Sequence, residues 1–223
     1  MWFLESLEFQ AWVKRPRETL FCPGIPGAGK TILASVVIDE LEARFGNDCD
    51  VGIAYLFCSF EHNDDRIQRP ENLLASILRQ LAQGIFPMPD SVMALYDKHK
   101  TKETRSSFNE ISKVLQSVVS HLSRVFIVVD ALDECGTLAI SRILDEFFNL
   151  QQKNNLNLLA TSRCIPEIEA RFPKALTREI RAAKPDVMIY LNANLKKLPA
   201  FVSRNQQLQQ RITNEITDAT GGM

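Results

Sequence analysis

The chain has 223 residues, 45% of them hydrophobic and 24% charged, with 26 basic against 27 acidic side chains and a formal net charge of -1. That length is enough for one α/β domain with a helical appendage and a core that needs no cross-links. The balanced charge, without a basic stripe, argues against a nucleic-acid partner. No run approaches the roughly 20 apolar residues of a membrane span, and the N-terminus lacks the charged lead, apolar core and cleavage site of an export signal. A soluble, cytoplasmic domain with no membrane partner is therefore expected.

Cys22, Cys49, Cys58, Cys135 and Cys164 make an odd count without a C-x-x-C pair, and several fall in strand-like runs. Buried reduced thiols are expected rather than a disulfide framework. Cys58 and His62 lie four apart but lack the second pair of ligands that a zinc site needs.

In chain order, the pattern begins with a helix over residues 5–14, from which Trp12 and Val13 can pack on a sheet edge, while Trp2 could pack or stack a base. Residues 19–22 form a short apolar run closed by Pro23 and Gly24, as a central parallel strand would be. Gly24 to Thr31 then read G-I-P-G-A-G-K-T, a full match to the phosphate-binding loop pattern G-x-x-x-x-G-K-S/T. Ile32, Leu33, Val36, Val37, Glu40 and Leu41 follow as a mostly apolar face at helical spacing, and Gly46 marks the stop. A second strand is expected over 52–57 and a polar stretch over 61–69. Pro70 opens a helix whose Leu73, Leu74, Ile77, Leu78 and Leu81 share one face. Residues 84–104 hold a proline-marked turn, a short helix and a charged segment. Ser107 and Glu110 have capping-box spacing ahead of the next helix. Val125-Phe126-Ile127-Val128-Val129 suits a strand buried on both faces. A helix over 138–150, a strand over 157–161, a short helix, a strand over 176–180 and two helices ending in the Gln-rich run 205–210 complete the chain. This alternation predicts a parallel sheet covered on both faces.

The chemistry follows from residue types. In the loop, Gly24, Gly27 and Gly29 let backbone N–H groups turn inward on phosphates, and Ile25, Pro26 and Ala28 complete the turn. Lys30 supplies a mobile charge for the outer phosphates, Thr31 a hydroxyl for Mg²⁺, and the helix that starts there aims its positive end at the same anion. Asp130 ends the Val-rich strand and is the expected Mg²⁺ partner, since ligands bind beyond the C-terminal ends of strands in open α/β sheets. Asp133 and Glu134 lie just beyond, where an attacking water could be oriented, or they form a solvated helix entry. Arg163, after Leu158-Leu159-Ala160-Thr161-Ser162, either reads a terminal phosphate, provided its strand lies beside the loop strand, or meets a surface acid.

G-I-P-G-A-G-K-T, the run V-F-I-V-V-D-A-L-D-E-C and the later L-L-A-T-S-R together resemble the NACHT class of signal-transduction P-loop NTPases, within the STAND group. The closest likeness is to the fungal, nephrocystin-like N-terminal type, which W-F-L-E-S, G-I-A-Y-L-F-C-S-F and L-L-A-S-I-L-R-Q-L also resemble. The resemblance covers nearly the whole chain. It implies a three-layer sandwich with a five-stranded parallel sheet, in which the strand before Arg163 is inserted between the two strands of the phosphate site. It assigns Gly24 through Thr31 to triphosphate and Mg²⁺, Asp130 to Mg²⁺, Asp133 and Glu134 to an acidic extension, and Arg163 to sensing the terminal phosphate. It divides the chain into a helical lead over 1–18, an NTPase core over 19–181 and a helical segment over 182–223 that stops before a lid and winged-helix region. Members usually carry a short stretch before W-F-L-E that helps form the base pocket, whereas Trp2 here directly follows Met1. Lys184-Pro185-Asp186 stands at the helix entry before Val187, Tyr190 and Leu191, where a polar or acidic entry is usual. Partners implied are the nucleotide and further domains of a modular receptor, such as an ankyrin or WD40 repeat domain.

The expected function is an ATP- or GTP-binding switch with at most slow hydrolysis, acting in an innate-immunity-like signalling receptor. The rivals are a small-molecule P-loop kinase, which needs an acceptor pocket and a phosphate-clamping lid, and a scaffold that binds nucleotide without hydrolysing it.

Overall fold

The computed structural model describes residues 2–59, 69–181, 188, 191, 193–195, 198–203 and 205–221. The expectations for His62, the polar stretch, Lys184-Pro185-Asp186, Val187 and Tyr190 lie outside the described residues. Two compact units are present, one made of residues 1–24 and 30–179 and the other of 25–29 and 180–223.

The first unit is built on five parallel strands: β1 (Thr19–Pro23), β2 (Val51–Phe57), β3 (Arg124–Asp130), β4 (Leu156–Ser162) and β5 (Leu176–Thr177), in the order β2-β3-β4-β1-β5. Helices α1 (Leu7–Lys14), α2 (Lys30–Phe45), α3 (Pro70–Gln83), α4 (Asp90–Lys102), α5 (Phe108–His121), α6 (Thr137–Lys153) and the single turn α7 (Pro166–Glu169) connect them. The expected α/β sandwich is the fold observed. β4 is buried along its whole length and β3 everywhere but its first residue, as central strands covered on both faces should be. β2, at an edge, alternates instead. The side chain of Gln80 meets that edge like a fragment of a further strand: its Oε1 accepts from Tyr55 N–H at 2.9 Å and its Nε2 donates to Tyr55 O at 2.9 Å. An open edge is thereby paired at its middle.

Successive strand residues point to opposite faces. Phe21, Ile127, Val129, Leu158 and Ala160 join the helices α3, α5 and α6 in one apolar core. Phe126 faces the other way, where Trp12 and Phe45 lie against its ring at 5.3 Å each. Trp12 therefore reaches the middle of the sheet rather than the edge expected from the sequence. Its indole N–H donates to Leu158 O at 3.0 Å, while the Asn157 amide donates to Trp12 O and, at 2.8 Å, to Arg15 O. These bonds fasten the C-terminal end of α1 to β4.

The helix after the loop is rotated from its expected face. Leu33, Ala34, Val37, Ile38 and Leu41 are buried, and Ile32 is 70% exposed. Small Ala34 was the signal: it lets the helix approach the sheet, whereas Ile32 was counted on hydrophobicity alone. α5 carries both halves of the expected capping box, with Ser107 Oγ accepting from Glu110 N and the Glu110 carboxylate accepting from Ser107 N. Lys98 of α4 also donates to Glu110 at 2.5 Å, and with Ser107 it holds that carboxyl well below the usual carboxylate range. β5 is shorter than expected.

In the second unit, α8 (Ala200–Ser203) and α9 (Gln206–Gly221) are joined by the Gln209 amide, which donates to Val202 O at 3.1 Å and to Ser203 O at 2.8 Å. Asn205 Oδ1 accepts from Leu208 N at 3.0 Å, so the Gln-rich run opens a helix rather than ending one.

The cysteine expectation needs correction. Cys58 and Cys135 are joined by a disulfide between positions 77 residues apart in sequence, with Cα atoms 5.6 Å apart. The parallel pairing of β2 with β3 brings these two strand exits side by side, a proximity that spacing in the sequence hides. Cys22 is a buried thiol, as expected, and burial, aided by Glu8, pushes it far above the ordinary thiol range. Cys49 and Cys164 are exposed.

Gly52 lies on β2 where an added Cβ would meet Leu122 Cδ1 and Leu81 Cδ2, both at 2.7 Å. Gly52→Val should lower the unfolding free energy by about 1–3 kcal/mol through overpacking. Urea denaturation with an unchanged slope checks this.

Candidate functional site

The register of β3, β4 and β1 brings three strand ends to one level. Ala160 pairs with Phe21 and with Val129, so Cys22, Thr161 and Asp130, each one residue further, lie side by side at or next to the ends of their strands. Gly24 N–H then donates to Ser162 O at 3.0 Å, continuing the β1–β4 ladder to the first residue of the phosphate loop. The adjacency that Arg163 requires is present, because β4 lies between β1 and β3.

Asp130 is 2% exposed. Thr161 Oγ1 donates to its Oδ1 at 2.6 Å and accepts from Ala131 N–H at 2.9 Å. One hydroxyl thus orients the carboxylate and satisfies the backbone where the chain turns. Ala131 sits in the left-handed region at φ 55°, an uncommon state for a residue with a Cβ. The turn redirects the chain into a short 3₁₀ turn, Leu132–Glu134, closed by Glu134 N to Ala131 O at 2.8 Å. The Cys58–Cys135 bond anchors the far side of this turn to the end of β2.

The two acids of the turn differ. The side chain of Asp133 is 3% exposed and takes both ends of Arg163: Oδ1 accepts from the backbone N–H at 3.0 Å and Oδ2 from Nε at 2.8 Å. Both bonds run to one carboxylate, so the arginine's direction is set by the acid. Glu134 is half-buried at the turn's end.

Lys30 opens α2, and its Nζ donates to Gly24 O at 2.9 Å. Thr31 follows on the first turn and is exposed. In the loop itself, Ala28 N–H donates to Ile25 O at 3.2 Å, and Gly27 and Gly29 adopt φ of +78° and +89°. A Cβ at either glycine would meet no protein atom within 4 Å. The requirement for glycine there is conformational, and the space is open to a ligand.

Mg²⁺ and nucleotide can be tested against these residues. Buried charges are normally paired with cations or metal ions. No ion pair to Asp130 is found among the described residues, and its only described side-chain bond is to a neutral hydroxyl. Ser162 Oγ is likewise buried without a hydrogen-bond partner. Both features fit a cationic and polar ligand at this edge. No cluster of three or more His, Cys, Asp or Glu side chains able to hold a metal by themselves occurs among the described residues. Mg²⁺ commonly completes its shell with phosphates and water, which suits a single carboxylate.

The family model described as Nephrocystin 3, N-terminal, matches residues 1–163. The chain belongs to this family. It is a nucleotide-binding P-loop NTPase module, a nephrocystin-like domain of the NACHT kind. The vegetative incompatibility protein HET-E-1 of Podospora anserina is 25% identical over 217 residues, which cover 95% of this chain and 15% of that protein. Among solved structures, Aeropyrum pernix ORC1 in complex with DNA matches with a TM-score of 0.54 and 16% identity, over 86% of this chain and 48% of that one. The Walker-type ATPase of Pyrococcus abyssi matches with a TM-score of 0.54 and 14% identity, over 96% and 60%. These two structures share the fold. The nephrocystin-like chain spans a small part of HET-E-1 and about half to three-fifths of the two solved relatives. No described helix is long and apolar enough to cross a membrane.

Thr161 is the residue that sequence reasoning passed over. A polar pair, Thr161-Ser162, at the end of the apolar run Leu158-Leu159-Ala160 was the available signal. Thr161→Val should strand the Ala131 N–H and loosen Asp130, costing about 1–3 kcal/mol for the unsatisfied buried group. Thermal unfolding should register this loss, and Thr161→Ser should restore most of it.

Proposed function

We propose that this domain is the nucleotide-controlled switch of a larger signalling protein, taking ATP or GTP with Mg²⁺ and hydrolysing it slowly at most. The observation that carries the reading is the buried carboxylate of Asp130, aimed by Thr161 at the strand edge where the phosphate-loop strand also ends. A carboxylate in that position, without a protein cation among the described residues, is suited to a divalent metal ion.

In this reading the residues divide the work. Gly24 through Gly29 offer backbone N–H groups to the phosphates. Lys30 moves from the Gly24 carbonyl to the outer phosphates, exchanging a neutral acceptor for a charged one. Thr31 and Asp130 hold Mg²⁺, which when bound supplies charge neutralisation across the outer phosphates. Asp133 positions Arg163 to read the terminal phosphate. Glu134 is the remaining acid of the turn and the candidate for orienting water. Contacts that differ between triphosphate and diphosphate are what a switch requires. The fold relationship to a fungal incompatibility protein supports a place in a modular receptor with further domains.

Lys30→Ala should remain folded and weaken triphosphate binding about ten-fold to a hundred-fold, the equivalent of one charge-assisted hydrogen bond. Calorimetry showing unchanged affinity in the folded variant would sink the assignment.

Asp130→Ala should abolish the Mg²⁺ dependence of binding, whereas Glu134→Gln should leave binding intact and lengthen the lifetime of bound triphosphate in single-turnover assays. Arg163→Ala and Asp133→Asn should share one phenotype, a reduced preference for triphosphate over diphosphate. If Glu134→Gln hydrolyses at the parent rate, Glu134 does not orient the attacking water.

A further inference from the structure

Outside the phosphate site, α3 and α4 border an open cavity of about 550 Å³ that no part of the nucleotide reading uses. Its origin lies in the sequence. α3 turns Leu74, Ile77 and Leu81 onto the core, while Ala75, Arg79 and Ala82 recur at helical spacing along the cavity side. The two alanines on that stripe are too small to fill the space between the helices. α4 answers with Val92, Leu95, Tyr96, His99 and Lys100, again at helical spacing, yet none of its 13 residues is fully buried. An amphipathic helix normally covers its apolar stripe with core. Here Val92 and Leu95 touch the core at one side and line the groove at the other.

We propose that this cavity binds a small amphipathic anion, an apolar chain or ring ending in a carboxylate. Its volume falls in the range of small-molecule sites, and its walls follow their usual make-up of apolar surface with a few polar groups. The sign of the ligand follows from those polar groups. Arg79, His99 and Lys100 line the cavity, and among the described lining residues none is acidic. Lys100 lies 5.2 Å from the Tyr96 ring centroid, which holds the ammonium beside the apolar wall. Glu110, an acid that lies 3.4 Å from His99 Nε2, is engaged by Lys98 at 2.5 Å and by the Ser107 backbone. His99 Nδ1 meets Thr104 Oγ1 at 2.8 Å, while Nε2 is buried without a hydrogen-bond partner among the described residues. An apolar body would complete the unburied face of α4, while a carboxylate would meet Arg79 and Lys100. A neutral ligand would leave those charges unused, and a cation would be repelled.

Decanoate below its micellar concentration is a suitable probe, titrated into the full chain by calorimetry with methionine-methyl NMR as the local readout. One-to-one saturable binding is expected, with the Met88 resonance shifted and the effect retained in saturating ATP, which places the ligand away from the phosphate loop. Arg79→Glu and Lys100→Glu should each weaken it at least about five-fold, as loss of a charge-assisted hydrogen bond does. Ala75→Phe should fill the space and remove binding, with circular dichroism verifying the fold. Decanol and decylamine should bind much more weakly. Absence of saturable binding, equal affinity for decanol or decylamine, indifference to both charge reversals, displacement by ATP, or binding of an acidic amphipathic peptide but not decanoate would each overturn the proposal.

Discussion

Asp130 is a carboxylate withdrawn almost entirely from water, and its surroundings can be understood as the means of keeping it there. The Thr161 hydroxyl both donates to the acid and accepts from the next backbone N–H, so a single side chain on β4 secures the end of β3. That bond exists only because the two strands are neighbours in register. The left-handed turn at Ala131, the 3₁₀ turn after it and the placement of Asp133 and Glu134 all start from this point. Among the described residues no protein cation pairs with this carboxylate, which is the feature that the proposed binding of Mg²⁺ would satisfy.

The same edge shows how one acidic run is divided by local geometry. Asp133 and Glu134 are chemically alike and adjacent, but Asp133 points into the protein and grips Arg163 at two atoms, while Glu134 stands at the end of the turn. A pair of bonds from one carboxylate restricts the arginine far more than a single surface contact would. The Cys58–Cys135 bond holds the opposite flank of this turn to β2, so the acids are braced from two strands at once.

Away from the site, the two faces of the sheet are closed differently. Trp12, Phe45 and Phe126 fill the face under α1 and α2, and the indole N–H spends its donor on Leu158 O. On the other face α3, α5 and α6 contribute to the core, whereas α4 touches it, among the described residues, only through half-buried Val92 and Leu95 and is tied to α5 by Lys98 to Glu110. The groove left between α3 and α4 gives the domain a second ligand-sized space.

Local chemistry was legible in the sequence because it depends on covalent spacing. The phosphate-loop pattern, the apolar runs of β1 and β3, the Pro70 helix start and the Ser107–Glu110 capping box are each set by residues within a few positions of one another, and each element stands where the pattern placed it. The parallel sheet followed from the alternation of those elements. What only the tertiary structure decided are the relations between distant segments. Thr161 beside Asp130, Arg163 on Asp133, Trp12 over the centre of the sheet and the Cys58–Cys135 bond depend on strand order and register. The buried face of α2 was also settled there, since Ala34 rather than Ile32 lets the helix approach the sheet. No local pattern encodes such contacts, because they are chosen by which strands become neighbours when the apolar faces are buried together.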